Sequence, residues 1–251
     1  MPAEGPALYF FCLKNIAETY IELDEYQSSE TYYNRLMSEY DGKNAPDDPV
    51  MHFSLKRLPD VYGVLGKFDS AVEWLNRFIR AKEQEHGTSD HPEVVEQRVR
   101  LGNIYIRMGK FTEAENILKQ ALSFYMKNKG DKSEEVGEVL LMLSQVYVYA
   151  NDYSEAYTYA KPASDIILRI FGEESRKGYQ AVENLGLICQ HLGRFDEGET
   201  YFRRAKVILD KLYPETHPAH GNYLNNMGGF KLETDALDEA EVLLKKALEI
   251  R

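Results

Sequence analysis

Apolar residues recur three and four positions apart along this chain, the period of an amphipathic helix, in blocks that restart at a fixed interval. The restarts are marked by Gly66-Lys67-Phe68, Gly109-Lys110-Phe111 and Gly193-Arg194-Phe195, with Asn151-Asp152-Tyr153 as a relaxed version. Their aromatic residues lie 43, 42 and 42 positions apart, and a further step of 42 either way lands on Tyr26 and Leu237. Six units therefore share one register. Other columns repeat with the marker. Six residues before it stand Tyr20, Tyr62, Tyr105 and Tyr147, then Cys189 and Lys231. Nine before it stand Ala17, Gly102, Ser144, Gly186 and Gly228, with Pro59 in the second unit. Three after it stand Ser29, Ala71, Ala114, Ala156, Gly198 and Ala240, all small. Ten after it alanine recurs at 121, 163, 205 and 247, while Leu36 and Phe78 depart from the column.

Each unit reads as two helices joined at the marker. First helices are expected over about 8–23, 49–65, 92–108, 134–150, 176–192 and 218–233. Second helices follow over about 26–39, 68–85, 111–128, 153–170, 195–212 and 237–251. The repeats then run over about 8–41, 49–88, 92–130, 134–172, 176–214 and 218–251. Small columns let paired helices approach, and aromatic and leucine columns fill the seams between units. No pair buries its apolar face alone, so the units stack. The expected fold is all-α, a right-handed superhelical solenoid of six helix pairs forming one domain over 1–251. The Gly and Asn of the marker turns suit left-handed C-caps. Pro92 and Pro218 suit a first helical position. Pro59 and Pro162 fall inside helices, where each removes a backbone hydrogen bond and favours a kink.

The segment Leu101-Gly102-Asn103-Ile104-Tyr105 followed by Gly109-Lys110-Phe111-Thr112-Glu113-Ala114 resembles the tetratricopeptide repeat signature, as does Leu185-Gly186 with Gly193-Arg194-Phe195-Asp196-Glu197. The ordinary repeat is 34 residues. A period near 42, with Ser89-Asp90-His91-Pro92 and Glu215-Thr216-His217-Pro218 ahead of new first helices, resembles the kinesin light chain subgroup. The resemblance covers the whole chain, although that family's heptad region is absent. It implies a protein-interaction scaffold whose concave face is lined by first helices. Inward positions then lie 15, 12, 11, 8, 5 and 4 residues before the marker. The candidate peptide-binding residues are Lys14, Asn15, Phe53, Lys56, Arg57, Arg100, Asn103, Arg107, Leu141, Met142, Gln145 and Asn184. Lysine and arginine suit carboxylates, and Asn and Gln suit peptide backbone. Leu141, Met142 and Tyr149 suit an apolar anchor. The expected ligand is a peptide, acidic with one apolar anchor. Glu18, Glu22, Asp60 and Glu96 lie near enough to neutralise part of the basic stretch. A related clamp for chaperone C-termini is not matched: Glu18 and Arg57 stand where it needs Asn, and Glu96 where it needs Lys.

Charge and composition narrow the picture further. Forty-one acidic residues against thirty basic give a net charge of −11, which disfavours nucleic acid as a main partner. No run of about 18 apolar residues suggests a membrane span. The N-terminus lacks a secretory pattern, and two distant cysteines suit reduced thiols, so a cytoplasmic location is expected. No catalytic constellation, cofactor loop or metal set stands out. His86 and His91 flank a loop, and His217 and His220 have a ligand-like spacing without further partners. Cys189 stands in a packing column, so it is expected to be buried and unreactive. The final helix reads as uncapped, which suggests a fragment of a longer protein and self-association through Leu243, Leu244 and Leu248. A sensory domain of a larger signalling protein is the alternative role.

Overall fold

The computed structural model describes residues 4–39 and 49–250, and these contain twelve α-helices and no strand. Residues 1–3, 40–48 and 251 lie outside the described residues, and with them the last two positions of the first expected repeat, 40–41. The helices are α1 (Glu4–Glu22), α2 (Tyr26–Glu39), α3 (Pro49–Val64), α4 (Phe68–His86), α5 (Pro92–Arg107) and α6 (Phe111–Lys129). They continue as α7 (Glu134–Tyr149), α8 (Tyr153–Phe171), α9 (Arg176–His191), α10 (Phe195–Leu212), α11 (Pro218–Glu233) and α12 (Leu237–Ile250). The expected boundaries hold to within one or two residues, except that α1 begins earlier, at Glu4. The chain divides into two compact units, Met1–Lys110 and Phe111–Arg251.

The six marker turns share one geometry. The residue two before the marker has a left-handed backbone in every case: Asp24, Gly66, Gly109, Asn151, Gly193 and Asp235, with φ between 57° and 73°. The next amide donates to the carbonyl of the residue six before the marker, as Lys67 to Tyr62 at 2.8 Å and Arg194 to Cys189 at 2.9 Å. The left-handed residue donates three positions back, as Gly193 to Gln190 at 2.9 Å. Together these bonds make a Schellman cap. Other starts use side chains: Ser133 and Ser175 accept from the amides of Val136 and Gly178. His91 and His217 use Nδ1 to accept from the amides of Glu93 and Ala219.

In unit 1 the column departures Ser29 and Leu36 are fully buried, so both still serve as core positions. Pro59 is buried in α3, Pro162 is exposed in α8, and both helices run through their prolines. In unit 2 one part of the core is built around aromatic rings. Phe202 is fully buried and meets Phe230 edge-on, with ring centroids 5.3 Å apart. The small columns explain how the rings fit. A Cβ on Gly186 would stand 3.3 Å from the Phe202 ring, and one on Gly228 would stand 2.8 Å from Cγ of Leu244. Of the three leucines expected to form an apolar edge, Leu248 is exposed, while Leu243 packs on the Phe202 cluster and Leu244 is half-buried over Gly228.

Candidate functional site

The first helices carry the candidate residues, and the two units use them differently. In unit 1, α1, α3 and α5 are joined side chain to side chain across single-repeat steps. Arg57 pairs with Glu18 at 3.3 Å, Lys56 with Glu96 at 2.7 Å, and Arg100 with Asp60 at 2.6 Å. Arg100 also donates to the Lys56 carbonyl at 2.5 Å and to Oε1 of Gln97 at 2.7 Å, so three of its donors are engaged within this unit. Tyr33 donates to Glu18 from the buried side, and burial with that carboxylate pushes its phenol well above the usual range. Three of the five basic candidates are thus tied to carboxylates.

The other two are not. Lys14 has no carboxylate partner among the described residues, and its ammonium lies 4.7 Å from the Phe53 ring centroid and 5.2 Å from that of Phe11. Arg107 donates to the Gly63 carbonyl at 2.8 Å and sits 4.7 Å over the Phe68 ring. Gly63 makes room for it, since a Cβ there would come within 3.1 Å of the guanidinium. Asp60, Asn103 and Arg107 line a cleft of about 230 Å³ in this unit. Asn15 is exposed on α1.

In unit 2 the steps between α7, α9 and α11 rest mostly on amides. Asn184 reaches Ser144 at 3.5 Å, Asn226 reaches Glu183 at 3.2 Å, and Gln190 reaches Glu233 at 2.8 Å. Among the described residues the one cation in these steps is Lys177, held by Glu138 at 2.6 Å and Glu134 at 3.0 Å. Leu141 and Met142 are half-buried on α7; Gln145 is exposed beside Tyr149, which is 53% exposed. A second cleft, of about 520 Å³, lies along α9 and α11 between Tyr179, Gln180, Glu183, Tyr213 and Asn222. The sequence register already counted Gln180, Glu183 and Asn222 as inward positions. The missing signal was burial: Glu183 is half-buried, and desolvation raises its carboxyl above the ordinary value although Tyr179 and Asn226 bond to it.

One inward column needs correction. Five residues before the marker, Gly63, Ile106 and Gln190 are buried, so that column faces the seam between helices in these repeats. The histidine pair His217 and His220 is structural. His217 caps α11 and stacks on Tyr213, while buried His220 bonds the Tyr213 carbonyl at 3.2 Å. A different trio, His86, His91 and Glu93, brings three potential ligand atoms within 4.8 Å. Its His86–His91 stack, at 3.5 Å, occupies the positions of the Tyr213–His217 stack, and Lys82 stands 3.6 Å from Glu93. The trio therefore reads as the same inter-repeat brace. Cys189 is fully buried, and burial raises its thiol to about 12, as its packing column implied.

Comparison with known proteins follows these features. A family model described as tetratricopeptide repeat matches residues 97–168 and 179–251. No curated protein matches the sequence. Among solved structures, BtubC (BKLC) from P. vanneervenii is 18% identical, with a TM-score of 0.70 over 96% of this chain and 89% of that one. A putative kinesin light chain from Podospora anserina with nearly identical TPR-like repeats is 17% identical, with a TM-score of 0.66 over 80% of this chain and 95% of that one. The apo quorum sensor NprR from B. thuringiensis is 14% identical, with a TM-score of 0.71 over 97% of this chain and 65% of that one. At these identities the likeness is one of fold. Among the described residues no helix is long and apolar enough to cross a membrane. With its six left-handed marker turns, its small-residue columns and a family match over more than half its length, the chain belongs to the tetratricopeptide repeat family.

Proposed function

We propose that this chain is a non-enzymatic, cytoplasmic interaction scaffold that binds a peptide segment of a partner protein on the inner faces of its first helices. In unit 1 the segment is acidic. The observation that carries this reading is the pair of inner-face cations without carboxylate partners. Lys14 rests on exposed Phe11 and Phe53, and Arg107 lines the 230 Å³ cleft beside Asn103. Such a surface suits an acidic chain carrying aromatic or apolar side chains. Leu141 and Met142 supply an apolar anchor point within unit 2, and Asn15, Gln145 and Asn184 supply amide donors for backbone.

The test is a peptide array probed with the full chain, followed by fluorescence polarisation of the strongest binders. Acidic peptides should dominate, and their affinity should fall as salt rises from 0.05 to 0.5 M, because the screening length shrinks several-fold over roughly that range. Lys14→Glu with Arg107→Glu should weaken them tenfold or more. Binders indifferent to both salt and this reversal would contradict the reading. A hit from a distant part of the same gene product would identify the sensory alternative.

A further inference from the structure

The cleft of unit 2 holds a charge that its surroundings leave unanswered. Glu183 projects from α9 into the 520 Å³ cleft, half-buried, with a carboxylate whose hydrogen-bond partners are both neutral. Tyr179 donates to Oε1 at 2.6 Å and Asn226 donates to the same oxygen at 3.2 Å. No ion pair reaches Glu183 among the described residues. Elsewhere on the inner faces Glu18, Asp60, Glu96, Glu134 and Glu138 all have a Lys or Arg within 3.3 Å, and the inward Glu22 and Glu233, which have none among the described residues, are exposed to water. A half-buried carboxylate without a cation is a costly arrangement to retain for packing alone.

We propose that this cleft receives the basic side chain, lysine or arginine, of a bound peptide segment, with Glu183 as its counter-ion. The inference rests on the reading that the inner faces bind peptides and names the chemistry that one unit selects. The cleft suits such a side chain in more than charge. Tyr213, stacked on His217 at 4.0 Å, and Tyr179 give aromatic walls along which an aliphatic stem lies. Gln180 and Asn222 at the opening supply donors and acceptors for the segment's backbone. Arg176, which also lines the cleft, starts two helical turns before Glu183 on α9, about 10 Å along the axis, and forms no ion pair with it. The desolvation that raises the Glu183 carboxyl is what an incoming cation would offset.

The experiment uses the full chain against an array of randomised decapeptides, repeated with Glu183→Gln. Glutamine keeps the shape and an acceptor for Tyr179, and thermal melts confirm that the variant is folded. Among peptides whose binding depends on unit 2, lysine or arginine should be enriched at one position. Exchanging that residue for acetyl-lysine or citrulline should weaken wild-type binding tenfold or more and Glu183→Gln binding less than twofold. A second variant, Asn222→Ala, should weaken the same peptides by a smaller factor while keeping their basic preference. Equal affinities of wild type and Glu183→Gln for every peptide overturn the proposal. If binders respond to reversal of Lys14 and Arg107 but not to Glu183→Gln, this inference fails and the groove reading stands. If no peptide binds, both fail.

Discussion

The inner faces of units 1 and 2 come from the same repeat, with the same turn and the same helix register, yet they handle charge differently. In unit 1 each step from one first helix to the next is closed by an ion pair, Glu18 with Arg57, Asp60 with Arg100, and Glu96 with Lys56. In unit 2 a single lysine, Lys177, ties α9 to Glu134 and Glu138 of α7, and the contacts at Ser144–Asn184 and Glu183–Asn226 are made by amides, which leaves the Glu183 carboxylate uncompensated. A repeat fixes where an inward side chain stands but not what it does there. Charges spent on neighbours brace the face, and charges left without a counter-ion are the ones available to a ligand. The basic candidates divide on this rule, with Lys56, Arg57 and Arg100 bracing and Lys14 and Arg107 available.

The largest expected effect tests whether the cores differ as the faces do. Phe202 is fully buried against Phe230 and Tyr223, so Phe202→Ala should cost unit 2 about 3–5 kcal/mol. Trp74, the single tryptophan, lies in unit 1, so its fluorescence follows that unit while circular dichroism follows all helices. The dichroism transition should move to lower denaturant ahead of the tryptophan signal. Coincident shifts would mean that the two units unfold as one.

Reversal of the bracing pair comes next. The sequence alone suggests that Lys56→Glu with Arg57→Glu leaves thermal stability nearly unchanged, since groove residues are not seam residues. The structure changes that expectation, because the variant sets carboxylates against Glu96 and Glu18. Both pairs are partly exposed, which limits each to the small range of surface ion pairs, so a loss of about 1–2 kcal/mol in total is expected at low salt. It should shrink as salt is added. A melting point that does not move would show that the ladder braces nothing.

Fold and site were legible to different depths. The six units, the helix limits and the buried cysteine follow from column identity, because packing repeats whenever the sequence does. Asp24 and Asp235 extended the left-handed turn to units where glycine is absent, and the register placed them there. Pairing was not legible. The sequence puts Glu18, Asp60 and Glu96 near the basic candidates, but which rotamer meets which partner depends on helix-to-helix geometry. The burial of Glu183 was hidden for the same reason, since its column mixes Lys14, Lys56 and Asn225 with Val99 and Leu141 and so signals neither burial nor exposure.

A smaller effect separates ligand chemistry from stability in unit 2. Burial raises the Glu183 carboxyl, so the folded chain holds that proton more tightly than the unfolded chain. Its contribution is therefore fully present below the ordinary carboxylate value and is lost as pH rises through the raised folded value. Glu183→Gln cannot ionise and escapes that loss. Without ligand it should be more stable than wild type at pH 7 by less than about 1 kcal/mol, the scale of one exchanged hydrogen bond. The gap should close near pH 4. Thermal melts at the two pH values measure it, and a variant less stable than wild type at pH 7 would show that the carboxylate is retained for packing.

The smallest effect asks whether the units, unlike in their faces, are alike in their turns. Asp24 in unit 1 and Asp235 in unit 2 hold φ of 57° and 61°, a region that an L side chain enters with strain. Glycine enters it freely, but it also gives the unfolded chain more freedom, so only part of the strain is recovered. Asp235→Gly should stabilise by about 0.5 kcal/mol. Asp24→Gly should gain less, because Asp24 accepts a hydrogen bond from the marker phenol of Tyr26 at 3.3 Å and glycine forfeits it. Asn151 stands in the same relation to Tyr153, at 3.2 Å, so Asn151→Gly should behave like Asp24→Gly although it lies in the other unit. Denaturant midpoints that group Asp24 with Asn151, apart from Asp235, would tie turn stability to the marker residue. Midpoints that group Asn151 with Asp235 would show that the difference between the units extends to their backbones.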